Sequence, residues 1–244
     1  MTVSFVARTY PEMLAGGFSR VDGTVQFYTR VNALLRKDMV AVDFGAGRGE
    51  WFLDDPLPYR RSLRNLKGKV AKVIGIDVDP VVSENPAVDE AFPFDGSIIP
   101  LATHSVDIIV ADHVFEHVPV PALTASELNR ILRPGGWLCI RTPNKFGYVA
   151  IMNRLIPERA KAAVLHFAQP NRKDEDVFPA HYRLNTKSAL RHHFPEYAIS
   201  AHTWESEPAY HGGKAAIFHM MRAWNAAIPS GMNNVLFAFM RKPG

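Results

Sequence analysis

The chain of 244 residues is 47% hydrophobic and 21% charged and carries a formal net charge of +4. It is long enough for one large α/β domain with a substantial core, and its mild basicity admits anionic partners without demanding nucleic acid. Cys139 is the single cysteine, which excludes an intrachain disulfide, and no apolar run reaches the ~18 residues of a membrane span. The N-terminus lacks the basic and apolar segments of a secretory signal, so a cytoplasmic location is expected.

Residues 1–22 read as irregular, and a helix starts near Asp22 or Thr24, either of which can cap it, with Phe27, Tyr28, Val31, Leu34 and Leu35 on one face. A first strand over 39–44 ends in Val42-Asp43-Phe44-Gly45-Ala46-Gly47-Arg48-Gly49. Glycines there permit turn dihedrals that other residues avoid and let a ligand approach the backbone closely. The spacing is G-x-G-x-G; the dinucleotide fingerprint needs a glycine at 50, where Glu50 stands. A helical stretch from Glu50 is interrupted by Pro56 and Pro58. Residues 59–72 then carry Arg60, Arg61, Arg64, Lys67, Lys69 and Lys72 with no acid. That run reads first as a solvated face and second as peripheral contact with an anionic membrane surface or glycan.

Strands follow at 70–76, near 89–94 and at 106–111, then a helix from Pro121 to Leu132 and a fifth strand at 137–142 after the turn Arg133-Pro134-Gly135-Gly136. Cys139 falls in this strand and reads as a buried residue. Alternation of strand and helix predicts a doubly wound, Rossmann-like, seven-stranded and mostly parallel sheet with helices on both faces. Asp43, Asp77, Asp95 and Asp112 then all converge on the carboxyl ends of the strands, where such sheets hold ligands. The remaining chain gives a helix from Tyr148 to Leu155, a helix over 185–193 with Asn185 as a candidate cap, strands at 197–204 and 235–240, and an apolar stripe of Ile217, Met220, Met221, Trp224 and Ile228. That stripe is expected to pack into the core. The whole is expected to be one domain over 1–244: a ligand-binding core at about 22–142, an insertion or lid at 143–184, and a C-terminal part of the sheet at 185–244 with a helical insertion at 206–230.

Five elements in order carry a resemblance. They are the acid and glycine loop at 43–49, Gly75-Ile76-Asp77, Asp95-Gly96-Ser97-Ile98-Ile99-Pro100-Leu101 before Ser105-Val106-Asp107, Asp112-His113-Val114-Phe115-Glu116-His117-Val118, and Leu132-Arg133-Pro134-Gly135-Gly136-Trp137-Leu138. Over about 39–142 the chain resembles the class I S-adenosylmethionine (SAM)-dependent methyltransferases, in the small-molecule and glycan group with Glu-His after strand four. The resemblance implies SAM as co-substrate. Its methionine part would lie along Asp43, Gly45, Ala46, Gly47 and Gly49, its ribose hydroxyls at Asp77 beside Val78, and its adenine at Asp95 and Gly96 with Phe94 against the ring; Asp112 would contact the ligand's amino group. Asp112 reads equally well as a helix cap, and Asp107 as a structural acid.

His113-x-x-Glu116-His117 also fits a zinc-protease pattern, but a hydrolytic zinc site needs a third ligand and no metal is expected. His113 and His117 are instead candidates for a general base. The Asn/Asp-Pro-Pro-aromatic signature of many amino methyltransferases is absent after strand four, which favours transfer to a hydroxyl of a small molecule, sugar, glycan or lipid-linked acceptor. Tyr148, Arg154, His166, His181, Tyr182, Tyr210 and His211 stand in the segments expected to cover it. The rivals are a non-catalytic SAM-fold partner protein, an N- or C-methyltransferase and, least favoured, a nicotinamide oxidoreductase. Nucleic acid is disfavoured because the basic run has no interleaved aromatics, and the oligomeric state is left open.

Overall fold

A computed structural model of the chain describes residues 4–156 and 179–244. Seven strands form one sheet in the order β3-β2-β1-β4-β5-β7-β6. They are β1 (Val40–Phe44), β2 (Lys72–Asp77), β3 (Glu90–Pro93), β4 (Val106–Asp112), β5 (Leu132–Pro143), β6 (Ala198–Trp204) and β7 (Val235–Arg241). β1 to β5 pair in parallel, whereas β7 runs antiparallel to both β5 and β6. The expected doubly wound, mostly parallel sheet is therefore present.

The helices of the described residues are α1 (Phe5–Thr9), α2 (Gly23–Leu34), α3 (Glu50–Asp54), α4 (Pro58–Arg64), α5 (Pro121–Ile131), α6 (Tyr148–Leu155), α7 (Lys187–His193) and α8 (Ala215–Ala227). Alternation of side chains along the strands feeds two cores. Ala41, Ile108, Val110, Cys139 and Phe237 point to the face covered by Phe27, Tyr28 and Val31 of α2. Val42, Ile109, Ala111, Leu138 and Ile140 point to the opposite face, against Leu128 and Ile131 of α5 and Leu190 of α7. Asp22 caps α2 through Oδ1, which accepts from the N–H groups of Thr24 at 2.9 Å and Val25 at 3.0 Å. Of the two expected caps, Asp22 is the one used.

Four expectations shift. β5 starts at Leu132 rather than 137, because Leu132 already pairs with Val106 and residues 133–136 loop out before Trp137 pairs with Ile108. α7 starts at Lys187 with Thr186 as its cap, and Asn185 is buried, donating instead to Thr142 Oγ1 at 2.7 Å and the Pro143 carbonyl at 2.9 Å. The stripe on α8 does not pack as a whole: Met220 and Trp224 are exposed, and the helix buries Phe218 instead. Phe218 is held in an edge-on aromatic cluster with Phe5, Tyr10 and His211, so tertiary contacts rather than the stripe choose the buried face.

The basic run is the fourth. Arg60 pairs with Asp55 and Asp22, Arg64 with Asp112 and Lys72 with Glu90. Lys67 and Lys69 donate to backbone carbonyls, and Lys69 also to Asn32. Much of this charge is spent inside the fold. No helix of the described residues is long and apolar enough to cross a membrane.

Candidate active site

The carboxyl ends of β1, β2, β3 and β4 lie along one edge of the sheet, as the pairings Phe44 with Ile76, Asp77 with Pro93, and Phe44 with Ala111 require. The loop after β1 crosses this edge. Gly45, Gly47 and Gly49 all have positive φ, at 77°, 51° and 71°. The three positions differ in what a side chain would meet. A Cβ on Gly45 would lie 2.2 Å from Cγ2 of Val114, and one on Gly49 would lie 2.3 Å from Asn85 Oδ1, whereas one on Gly47 would meet nothing within 4 Å. Two glycines thus let neighbouring segments press onto the loop, and Gly47 opens onto space a ligand can take.

Asp77 ties the loop to β2. Its Oδ2 accepts from Gly47 N–H at 2.8 Å and its Oδ1 from Asp79 N–H at 2.9 Å. Asn85 braces the loop from below, donating through Nδ2 to the carbonyls of Ala46 at 2.9 Å and Gly47 at 3.1 Å. Val78 is exposed beyond Asp77. Further along the edge, Asp95 Oδ1 accepts from Ser97 N–H and Oγ, and these bonds, Ser97's first, lower the carboxyl's pKa. Gly96 follows with positive φ and open space at its Cβ. Phe94 packs against Phe44 with centroids 5.9 Å apart.

Asp43 lies partly buried near the end of β1. Burial pushes its carboxyl up to about 7, with Asp112 and Asp77 adding to the rise and Arg64 opposing it. Arg64 sits 4.7 Å over the Trp51 ring, and its buried Nε has no hydrogen-bond partner. An acid that pairs with no cation of the described residues and a guanidinium with an unspent donor therefore flank the glycine loop. Such a set suits a ligand end that carries both an ammonium and a carboxylate.

Asp112 departs from expectation. Arg141 holds both its oxygens, Nε to Oδ1 at 2.5 Å and Nη2 to Oδ2 at 2.7 Å, while Tyr28 donates to Oδ2 at 3.1 Å. Arg64 Nη2 approaches at 3.4 Å. Burial alone would raise this carboxyl, but the Arg141 and Arg64 charges outweigh it and hold it well below the usual carboxylate range. With both oxygens taken, Asp112 is a framework acid that locks β4 to β5 and α2. Asp107 is structural too, accepting from Val40 N–H at 2.7 Å and Arg133 at 2.7 Å.

The segment after β4 carries two histidines that both approach Glu116 Oε1, His113 through Nδ1 at 3.4 Å and His117 through Nε2 at 3.9 Å. His113 adopts φ 60°, a left-handed conformation uncommon for a non-glycine residue and shared here with His104 and Tyr182. Its N–H donates to the Arg141 carbonyl at 2.8 Å. Its Nδ1 lies 3.4 Å from Glu116 Oε1 and its Nε2 4.0 Å from Asp112 Oδ1, so a neutral ring with its proton on Nδ1 donates to Glu116 and keeps Nε2 as the acceptor. Glu116 is itself buried, takes a bond from Thr142 Oγ1 at 2.8 Å, and is lowered in pKa by His113 and His117 against the effect of burial. His117 lies in the following 3₁₀ turn, with Nδ1 2.9 Å from the Pro179 carbonyl. Because His113 precedes that turn in a left-handed conformation, the two histidines do not share a helix face as the zinc pattern requires. Among the described residues no His, Cys, Asp and Glu group of three is placed to hold a metal ion.

His113 also lines a cavity of ≈ 230 Å³ with Thr24, Arg60, Arg141, Ser206 and Glu207. Val114 rests on Gly45, so the turn that carries His113 lies directly against the glycine loop. Donor-side and cavity-side groups are thereby joined through one side-chain contact. Of the residues expected to cover the site, Tyr182 is buried with its hydroxyl bonded to Asn153, and His166 lies outside the described residues. Sequence reasoning did not single out Asn85, Arg141 and Glu207 and placed Arg64 only in the basic run, since none belongs to a local motif of the site.

A family model described as a methyltransferase domain matches residues 20–199. A Mycolicibacterium smegmatis protein named as a probable S-adenosylmethionine-dependent methyltransferase is 37% identical over 84 residues, which is 32% of each chain. An uncharacterized methyltransferase of Mycobacteroides abscessus is 49% identical over 41 residues, 17% of this chain and 16% of its own. The matches thus span a third or less of these relatives' lengths. Among solved structures, a SAM-dependent methyltransferase of Thermotoga maritima aligns with a TM-score of 0.53 at 16% identity, covering 98% of this chain and 96% of its own. The YcgJ protein of Bacillus subtilis aligns at 0.54 and 13% identity, covering 90% and 99%. These last two likenesses show the fold.

Proposed function

The chain belongs to the methyltransferase-domain family of SAM-dependent enzymes, and on that premise we propose that it moves the methyl group of SAM onto a hydroxyl of a small-molecule, sugar or lipid-linked acceptor. The observation that carries the reading is the open face of Gly47 beside Asp43, Asp77 and Arg64, with the His113 turn pressed against the same loop through Val114. SAM supplies a methyl carbon already activated by a sulfonium, so the protein's work is alignment and exclusion of water. In this reading Asp43, Arg64 and the loop from Gly45 to Gly49 hold the methionine end. Asp77, which keeps acceptor capacity beyond its two backbone bonds, takes the ribose hydroxyls beside Val78, and Asp95 with Gly96 takes the base.

The acceptor oxygen attacks the methyl carbon as its proton passes to His113 Nε2. The carbon–sulfur bond breaks, and its electron pair stays on sulfur. Glu116 stabilises the imidazolium that forms, as a carboxylate behind a catalytic imidazole does. His117, bonded to the Pro179 carbonyl, frames the turn.

Incubation of the protein with isotopically labelled SAM and cell extract, followed by mass spectrometry, tests this. Labelled methyl is expected on oxygen of a small or glycan-like product. A protein that binds SAM but labels nothing would be a non-catalytic partner, and label on nitrogen or carbon would reject the hydroxyl acceptor.

A further inference from the structure

The cavity beside His113 lies between the start of α2 and the loop that follows β6. Its two walls meet closely at Gly23, where a Cβ would stand 2.6 Å from Ser206 Oγ. At ≈ 230 Å³ it falls below the ~300–1,000 Å³ common for ligand pockets, so it takes a single ring or one end of a larger molecule.

Four charged side chains line it besides His113, and three of them are spent. Arg141 is held by Asp112 and donates to Thr24 Oγ1 at 2.7 Å. Arg60 is divided between Asp55 and Asp22. Asp22 gives Oδ1 to the cap of α2 and Oδ2 to Arg60. Glu207 differs. Ser19 donates to its Oε1 at 3.0 Å, its own backbone N–H adds a bond, and no cation of the described residues pairs with it. Burial, with Asp22 adding to it, raises its carboxyl, against the smaller lowering effects of its own backbone N–H, Ser19 and the Arg60 charge.

We propose that this cavity is the acceptor subsite and that Glu207 accepts hydrogen bonds from a hydroxyl, or a pair of adjacent hydroxyls, of a neutral sugar or polyol while a further hydroxyl faces His113. The proposal rests on the methyl-transfer reading above. Neutrality follows from the lining. A cationic acceptor would meet the Arg60 and Arg141 guanidinium groups, and an anionic one would meet Asp22 and Glu207. A group rich in O–H donors satisfies the remaining acceptor sites of the Glu207 carboxylate and finds further partners in the Thr24 and Ser206 hydroxyls. A carboxylate accepts from two vicinal hydroxyls at once, which a single alcohol cannot offer. Glu207 would thus be a binding and specificity residue, and His113 the group that takes the proton.

The test uses the full chain with methyl hexopyranosides, their monodeoxy analogues, and ethanolamine as the cationic control. Methyl transfer from labelled SAM is measured alongside ligand-observed NMR of the same probes with the protein loaded with S-adenosylhomocysteine. The expected result is that a hexoside binds and accepts methyl. Glu207→Gln should raise its KM roughly tenfold to a hundredfold, since a bond to a charged acceptor is lost, while SAM affinity stays at the wild-type value. The penalty should vanish for the deoxy analogue that lacks the recognised hydroxyl, which a purely structural role of Glu207 would not produce. Hexosides that are methylated equally well by Glu207→Gln would overturn the role of Glu207 and leave the hydroxyl reading intact. Binding of ethanolamine in preference to every hexoside, or binding of neither by a protein that takes SAM, would overturn the sugar class. Failure of the wild type to bind SAM would overturn the underlying reading as well.

Discussion

Asp43 stands near the end of β1 and Asp112 at the end of β4, on the same edge of the sheet and within electrostatic reach of each other. Around Asp112 the polar atoms are spent on one another: Arg141 grips both oxygens, Tyr28 adds a hydroxyl, and the carboxyl is driven far down. Around Asp43 they are held in reserve. Its carboxyl is pushed up to about 7, Arg64 Nε has no partner, and Gly47 faces open space. The first region is built as framework, and the second is the candidate site. Unspent polar groups, rather than charge itself, separate the two.

Removing Arg141 tests the framework side and carries the largest expected effect. Arg141→Ala leaves Asp112 buried with Tyr28 and the more distant Arg64, at a cost of about 3–5 kcal/mol of stability, read as a fall in the urea midpoint. A shift within experimental error would mean the pair is not structural.

On the site side, His113→Ala is expected to lower turnover by roughly a hundredfold to ten-thousandfold while SAM affinity and unfolding midpoint stay near wild type. Unchanged turnover would remove His113 as the base. Asp77→Ala should weaken SAM by roughly tenfold to a hundredfold in a calorimetric titration, because it loses the ribose contact and the Gly47 tether together.

The smallest effects sharpen the contrast by their sign. The Asp43 carboxyl lies at about 7 in the fold, above an unfolded value near ~3.9, so its contribution is present below about pH 4 and is lost as pH rises through 7. Relative to wild type, Asp43→Asn should therefore gain stability progressively between about pH 4 and pH 7. Asp112 is lowered in the fold, so its contribution is present above about pH 4 and fades in acid. Asp112→Asn should be less stable than wild type at neutral pH, with the gap closing as pH falls. Denaturant midpoints across that range read both slopes, and slopes of the same sign would dissolve the comparison.

The geometry of the candidate site was far more legible in the sequence than that of the framework half. Gly45, Gly47, Gly49 and Asp77 declare themselves because a turn and a strand end are local events written in consecutive residues. The pairing of Asp112 with Arg141 depends on the register that sets β4 beside β5, which no local pattern encodes. Asn85 and Glu207 reach the site from other loops for the same reason. On α8, helical periodicity marked Ile217, Met220, Met221, Trp224 and Ile228, yet the aromatic pocket of Phe5, Tyr10 and His211 selected Phe218. Arg60 and Arg64 looked solvated because their acids, Asp22, Asp55 and Asp112, lie on other elements.

The central claim is that the open face of Gly47 cradles SAM, and titration of SAM and NAD into wild type and Gly47→Val addresses it most directly. The new Cβ meets no protein atom, and left-handed strain costs about 1–2 kcal/mol or more for a β-branched residue, so the unfolding midpoint of the variant is measured alongside. Wild type should bind SAM and not NAD, and the folded variant should lose most of its SAM affinity. A variant that binds SAM as tightly as wild type, or a wild type that prefers NAD, would contradict the account.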